Sequence, residues 1–294
     1  MSAPTRITIE GIHAPVYHVP STSSTLDLAA SLLADTATPT PHLTTIIADH
    51  QSAGRGRLGR SWIAPAGQAL LATTIISVPT SLPTATLGWL VYACALSVRD
   101  ALSLRLTPLR HDVTLKWPND ILVDGERKIC GILAQLAPAS SPFTTTALLG
   151  YGMNIAQEGA DLPTAHATSL RAEGDIPAGE DSGAAAHALL STILVRLEAR
   201  VRSLVTHGSV SASGLADEVL AAMPLIGKRI ALAEPTDPTG RAAIEGTAIG
   251  LADTGALQLR TDDGRIHDIN AGDVLTTGTP LRTTHTTKEK RANN

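Results

Sequence analysis

Three arginines, Arg55, Arg57 and Arg60, alternate with glycines in the stretch ADHQSAGRGRLGRSW, residues 48–62. Guanidinium groups present forks of N–H donors that match carboxylates and phosphates, and glycine lets a backbone approach such a ligand closely. Gly54-x-Gly56-x-x-Gly59 also has the spacing of a dinucleotide-binding turn. That turn must open a helix and be followed, about 20 residues on, by an acid that binds the ribose. Here Pro65 and Gly67 interrupt any helix, and after Asp49 the next acidic residue is Asp100. The dinucleotide reading fails on both tests. What remains is a basic loop shaped for an anion, with arginines expected to lack protein partners and glycines expected to leave it little structure of its own.

A second group of chemistry-bearing residues lies at LKWPND, residues 115–120, where Lys116 and Trp117 precede Pro118 and the Asn119–Asp120 pair. Alone, Pro-Asn-Asp is a tight turn whose side chains cap their own backbone. Close behind it come Lys128 and Gly131, and further on Gly150-Tyr151-Gly152-Met153-Asn154. Glycines on neighbouring strands predict bare backbone against which a ligand can lie. Trp62, Trp117 and Tyr151 fall inside these segments although aromatics make up only 2% of the chain, so each is a candidate for contact with something flat. Cys94 and Cys130 are too few for a zinc site and sit in apolar surroundings, which predicts packed thiols.

These residues need a scaffold, and hydrophobic periodicity supplies one of strands and helices. Residues 24–34 read as a short helix entered through a Ser/Thr cap, and Thr44–Ala48 and residues 69–78 read as strands. Leu87, Leu90, Val91, Cys94, Ala95, Val98, Ala101 and Leu102 form one stripe of a helix that should pack on the sheet. Segments 113–117, 120–123, 128–136 and 145–155 are predicted strands, with a turn at Asp124-Gly125-Glu126, and residues 156–183 a polar loop. The stripe from Leu189 to Leu204 predicts a long helix, followed by a shorter one near 212–222. From Gly227 onward, short alternating strands predict a small β-barrel, read as a structural appendage, and the polar tail after residue 279 is expected to be disordered.

The totals narrow the function class. A net charge of −4 gives no broad footprint for nucleic acid. The opening MSAPTRITIE has neither a basic nor an apolar leader segment, and no run of about 18 apolar residues follows, so the reading is a soluble, cytoplasmic protein with no membrane partner.

Taken in order, STL at 24–26, QSAGRGRLGRSW at 51–62, KWPNDILV at 116–123, RKICGIL at 127–133 and GYGMNI at 150–155 resemble the biotin protein ligase family. The resemblance implies an α+β class, with a mixed-sheet catalytic domain of the class II tRNA synthetase type over residues 1–224, an SH3-like domain over 225–279 and a tail at 280–294. It also implies a two-step reaction. Biotin's carboxylate attacks the α-phosphate of ATP, and a lysine of a biotin carboxyl carrier domain, from acyl-CoA or pyruvate carboxylases, then attacks the biotinyl-adenylate. Two anions must meet in the first step, so cationic and N–H donors have to offset their repulsion.

By motif position the resemblance places Ser24, Thr25 and Gln51 on biotin's ureido ring, with Gly54, Gly56, Gly131 and Gly152 leaving room for the ligand. Arg55 and Arg57 would close over the carboxylate and phosphates, and Lys128 would be the main electrostatic catalyst. Arg60, Trp62, Lys116 and Asn154 would join Arg57 and Asn119 at ATP. Asp120, with Asn119, would serve either Mg²⁺–phosphate binding or the incoming lysine; no direct protein site for magnesium is otherwise implied. Leu26 departs from the Asn common in the family and Ala64 from its Ser-Pro. Only 23 residues precede Ser24, which implies no DNA-binding arm, and a monomer or weak homodimer is expected. Lipoate or octanoate ligation, or a regulator that holds the adenylate without transfer, would use overlapping residues. The joint presence of GRGRLGR and KWPND favours biotin.

Overall fold

The computed structural model describes residues 3–35, 37, 40–138, 141–177, 179, 181–233 and 242–275. Along the chain the elements are β1 (Thr5–Ile7), β2 (Val16–Thr22), α1 (Thr25–Ala34), β3 (Thr45–Gln51), β4 (Ala69–Pro79), α2 (Trp89–Leu106), β5 (Val113–Lys116), β6 (Asp120–Val123), β7 (Arg127–Leu136) and β8 (Thr144–Asn154). There follow α3 (Ser182–His207), α4 (Leu215–Ala221), β9 (Arg229–Ala233), β10 (Ala242–Leu251), β11 (Leu257–Arg260), β12 (Ile266–Ile269) and β13 (Asp273–Leu275). The first eight strands form one sheet in the order β1-β2-β3-β4-β8-β7-β6-β5, parallel only at β2–β3, and this mixed sheet with its helices is the expected α+β class. Strands β1 and β2 are additions to the predicted set. Pro20 and the polar STS that follows hide the pattern, and β2 is held by pairing with β1 and β3.

One face of the sheet is covered by α2 and α3, in a cluster that includes Ile76, Leu102, Ile121, Tyr151 and Leu197. Helix α2 is buried nearly all round, from Trp89 through Val98, rather than along a single stripe. It is apolar enough to cross a membrane by composition, yet here it is a core helix enclosed by neighbours, the usual fate of a helix without a polar face. On the opposite face α1 packs Leu26 and Ala29 against Ile46, Ile75 and Leu148. At ten residues, α1 spans about 15 Å, so it covers only part of that face. Farther along, glycines take the place of side chains at Gly150, Gly152 and the cross-strand partner Gly131, and there the sheet borders a cavity.

The β6–β7 hairpin turns through Asp124, Gly125 and Glu126, with Asp124 and Gly125 in left-handed backbone (φ 52° and 72°) and the Glu126 N–H donating to the Val123 carbonyl at 3.2 Å. Strands β9 to β13 form a separate antiparallel sheet, ordered β12-β11-β10-β9-β13. It docks on the start of α2: the Trp89 indole N–H donates to the Asp253 carbonyl at 2.9 Å and the Tyr92 hydroxyl to the Gly255 carbonyl at 2.8 Å. The expected disordered tail, residues 280–294, lies outside the described residues.

Candidate active site

A cavity of about 420 Å³ opens over the glycine-floored part of the sheet. Ser24, Thr25, Gln51, Arg55, Gly56, Arg57, Arg60, Trp62, Lys116, Asn119, Asp120, Lys128, Gly131, Gly152 and Asn154 all line it, although they come from segments spread over 131 positions of sequence. Gly54 lies beneath the loop instead: it is buried, and a side chain there would collide with the carbonyl of Trp62.

One end of the cavity is a hydrogen-bonding corner. The Thr25 backbone N–H and hydroxyl both donate to Gln51 Oε1, at 2.7 and 3.0 Å, and Thr73 donates to the Thr25 hydroxyl at 2.9 Å. With its oxygen engaged, Gln51 is fixed with its amide –NH₂ as the donating end. Ser24 begins α1 but makes no side-chain cap, so its hydroxyl is not spent on the helix, contrary to its expected role as a cap.

The arginine loop is more structured than its glycines suggest. Trp62 N–H donates to the Gly54 carbonyl (2.9 Å), Gly56 N–H to the Arg60 carbonyl (2.7 Å) and Arg60 N–H to the Arg57 carbonyl (3.1 Å), folding residues 54–62 into a narrow hairpin. Nor are its arginines without partners. Arg55 pairs with Asp27 of α1 at 2.6 Å, and Arg57 Nη1 reaches Asn119 Oδ1 at 3.5 Å. Asp27 was invisible as a partner in the sequence because it lies 28 residues away and meets the loop only through α1.

Lys128 stands at the opposite side of the glycine floor, where its Nζ makes an ion pair with Asp120 Oδ1 at 2.6 Å. The Trp62 ring lies between: Lys128 Nζ is 5.7 Å from its centroid, within cation–π range. The space over Gly152 that was expected to take a ligand is filled here by the indole of Trp62, and the space over Gly131 is shared by that ring and Lys128 Nζ. A methyl group on Gly152 would stand 2.7 Å from Trp62 Nε1, and one on Gly131 would stand 3.2 Å from Cζ3. The Trp62 Nε1 donor is buried with no hydrogen-bond partner among the described residues.

Other candidates resolve into support. Asn119 donates to the Ile132 carbonyl at 2.7 Å, which fixes the Pro-Asn-Asp turn against β7. Asn154 lines the cavity, but its side chain is committed to protein, donating to the Thr168 carbonyl and accepting from Gln157. Trp117 and Tyr151 are buried members of the core, so of the three aromatics singled out it is Trp62 that lies partly open at the cavity. Burial pushes the Cys94 thiol up to about 12 and the Cys130 thiol well above its ordinary value, so both are inert packed thiols.

Sequence reasoning passed over three contributors and noted a fourth, Leu26, only as a departure from the family pattern. Thr73 completes the Thr25–Gln51 corner, and Leu26 packs on Gly150. Loop residues 163–167 form a wall, and Val274 of β13 brings the second sheet to the cavity, so that sheet is more than an appendage. Only the Leu26 departure left a signal in the sequence; the others depend on chain reversals that no local pattern encodes.

Comparison with known proteins matches two segments of the chain. Residues 18–154 match the Biotin/lipoate A/B protein ligase family, and residues 225–275 match the Biotin protein ligase C terminal domain. A biotin–[acetyl-CoA-carboxylase] ligase from Mycobacterium tuberculosis is 34% identical over 233 residues, 78% of this chain and 77% of that protein. One from Paracoccus denitrificans is 33% identical over 227 residues, 75% and 85% of the two chains. The fold is shared with the solved structure of biotin protein ligase from Aquifex aeolicus in complex with biotin and ATP, at 23% identity and a TM-score of 0.64, covering 90% of this chain and 98% of that one.

Proposed function

Because the chain belongs to the biotin protein ligase family, we propose that its cavity activates biotin with ATP and passes the biotinyl group to a lysine of a biotin carboxyl carrier domain, in the cytoplasm. The observation that carries this reading is the polarity of the cavity, with amide and hydroxyl donors at Gln51 and Ser24, a glycine floor at Gly150, Gly152 and Gly131, and cations at Arg57 and Lys128 on the far side. A ligand with a neutral hydrogen-bonding head, an apolar body and a carboxylate tail matches that order.

In the first step a biotin carboxylate oxygen bonds to the α-phosphorus of ATP as the bond to the leaving pyrophosphate breaks. Arg57 and Lys128 offset the repulsion between the two anions and stabilise charge on the phosphoryl oxygens. Arg60, Lys116 and Asn119 take the triphosphate side. Of the described residues lining the cavity, Asp120 is the one carboxylate, and it is paired with Lys128. That suits an ion that arrives on ATP and keeps phosphate and water ligands, with Asp120 and Asn119 as rim oxygens. It would supply neutralisation of the triphosphate.

In the second step the carrier lysine's nitrogen bonds to the acyl carbon, AMP leaves, and the amine's proton is released. Asp120 already binds one ammonium group, that of Lys128, at 2.6 Å. When Lys128 turns to the phosphoryl anion, the freed carboxylate becomes a receptor for the incoming lysine ammonium, which must lose one proton before its nitrogen attacks and a second as the amide forms.

Incubation with radiolabelled biotin, MgATP and a carrier domain tests the reading, with lipoate as the competing acid. Label on the carrier that biotin alone competes away supports it. Transfer of lipoate instead, or adenylate formed and held without transfer, overturns it.

A further inference from the structure

The strand segment that carries Lys128 is poorly held by its sheet. Pairing of β7 with β8 begins only at Cys130, and its register against β6 shifts so that Ile129 has no partner there. A bulge of this kind re-aims side chains at the cost of a broken ladder. On the side that β8 has vacated, a loop takes the strand's place: Lys128 N–H donates to the His166 carbonyl at 2.7 Å, and Thr168 N–H to the Lys128 carbonyl at 2.9 Å. Pro163, Thr164 and Ala167 of that loop wall the cavity.

The loop is in turn locked by one buried carboxylate. Glu173, 6% exposed at its side chain, takes a two-pronged ion pair from Arg127, the neighbour of Lys128, with Nε–Oε1 at 2.8 Å and Nη2–Oε2 at 2.9 Å. It also accepts the Thr168 hydroxyl at 2.5 Å. Arg127 reaches Asp124 at 2.7 Å, and His111 lies against both acids, 2.9 Å from Asp124 and 3.4 Å from Glu173. His111, Asp124 and Glu173 have the proximity of metal ligands, all within 4.8 Å of one another. The cation bound to the two acids, however, is the Arg127 guanidinium. Burial alone would raise the Glu173 carboxyl, but the hydrogen bonds from Arg127 and Thr168 outweigh it and hold the group below its ordinary value.

We infer that Glu173 is a positioning residue for Lys128: through Arg127 and Thr168 it clamps the start of β7, paired with β6 but not with β8, to the loop, and so fixes where the ammonium stands. The inference rests on the proposed role of Lys128 in adenylation. Displacing a reacting charge by about 1 Å can cost about 100-fold in rate, so the clamp matters to chemistry more than to folding. Glu173→Gln keeps the shape and one acceptor oxygen while weakening both prongs.

Biotin-dependent pyrophosphate release is measured for wild type, Glu173→Gln, Lys128→Ala and the double variant, with a thermal melt of each. The expected result is a kcat about 10- to 100-fold lower for Glu173→Gln, with KM for biotin little changed because the Gln51 corner is untouched. The double variant should be no slower than Lys128→Ala alone, since residues acting through one group do not add. Thr168→Val, which removes one hydrogen bond to Glu173, should show the same dependence on Lys128 in milder form. Losses that multiply in the double variant, or a Glu173→Gln kcat within about threefold of wild type, far short of the expected displacement cost, overturn the clamp. A wild-type rate for Lys128→Ala is distinguishable from both: it removes the lysine from the mechanism, and the clamp with it.

Discussion

Replacing Gly152 with alanine asks whether the Trp62 indole and the ligand share one floor. The added methyl would meet Trp62 Cε2 first and would stand 2.7 Å from Nε1 and 2.8 Å from Cζ2, whereas comfortable contacts need about 3.5–4.0 Å, so the ring must retreat by more than about 1 Å. The backbone cannot yield instead, because Gly152 is paired with Leu71 on one side and Gly131 on the other. The ring can move, since it borders the 420 Å³ cavity. The stability cost therefore falls at the low end of overpacking, about 1 kcal/mol, which for a chain of this size is a fall of about 2–4 °C in Tm. The ligand pays more of the penalty, because both methyl and displaced ring take volume from its side of the floor. A tenfold or greater weakening of biotin binding, about 1.4 kcal/mol, is expected by calorimetry. Tryptophan emission gives an independent readout: Trp89 and Trp117 are 1% and 2% exposed, which leaves Trp62 as the responsive indole. Wild-type emission together with wild-type biotin affinity would refute the reasoning, as would a stability loss beyond about 3 kcal/mol, which would mean that the sheet had moved rather than the ring.

Lys128→Ala should lose on the order of 10²–10³ in biotin-dependent pyrophosphate release with an unchanged circular dichroism spectrum, and Lys128→Arg should also be poor because a planar fork cannot replace a compact ammonium. Asp27→Asn should release Arg55, speeding trypsin cleavage after Arg55 while changing stability by less than about 1 kcal/mol, as befits a half-exposed ion pair. Acid should unlock the Glu173 cluster. Burial would raise Asp124, but hydrogen bonds from His111, the Asp112 N–H and Arg127 bring it to about 2, and Glu173 is lowered likewise. Groups with depressed folded values stabilise above their unfolded values and lose that contribution as pH falls through the folded ones. Tm should therefore drop between about pH 4.5 and 2, and the drop should be shallower in Glu173→Gln.

Most of the catalytic sheet was legible because its signals are local. The stripe at 189–204 and the left-handed pair Asp124-Gly125 announce a helix and a hairpin, and the glycines at 131, 150 and 152 announce a floor. The arginines were legible for the same reason, since arginine between glycines is an unusual composition, whereas the role of Lys128 came only from the family resemblance. The partners of these cations were not legible. Asp27, Asp120 and Glu173 lie 28, 8 and 46 residues from the cations they hold, and each contact exists only once α1, the β6–β7 hairpin and the 156–181 loop have been brought together. The loop carries no periodicity because its backbone is satisfied piecemeal, by Lys128, Asn154 and Ile155, rather than by a ladder.

Those hidden partners change how the site meets its ligands. Two of its cations, Arg55 and Lys128, are already paired in this structure, to Asp27 and Asp120 at 2.6 Å each. An arriving anion therefore exchanges partners instead of meeting bare charge. Both pairs are partly open to solvent, where such pairs are worth about 0–1 kcal/mol, so a carboxylate or phosphate that offers a charge-assisted hydrogen bond can displace Asp27 or Asp120 at little cost. In the proposed adenylation, the Asp120 carboxylate would keep the Lys128 ammonium ordered, lowering the reorganisation needed when charge develops at phosphorus. The exchange should be visible as a change in sign: Asp27→Asn leaves Arg55 disengaged and should tighten binding of inorganic pyrophosphate at low salt, an effect that fades as ionic strength rises. Weaker pyrophosphate binding by Asp27→Asn at low salt would show that Asp27 holds Arg55 in its binding position rather than competing for it.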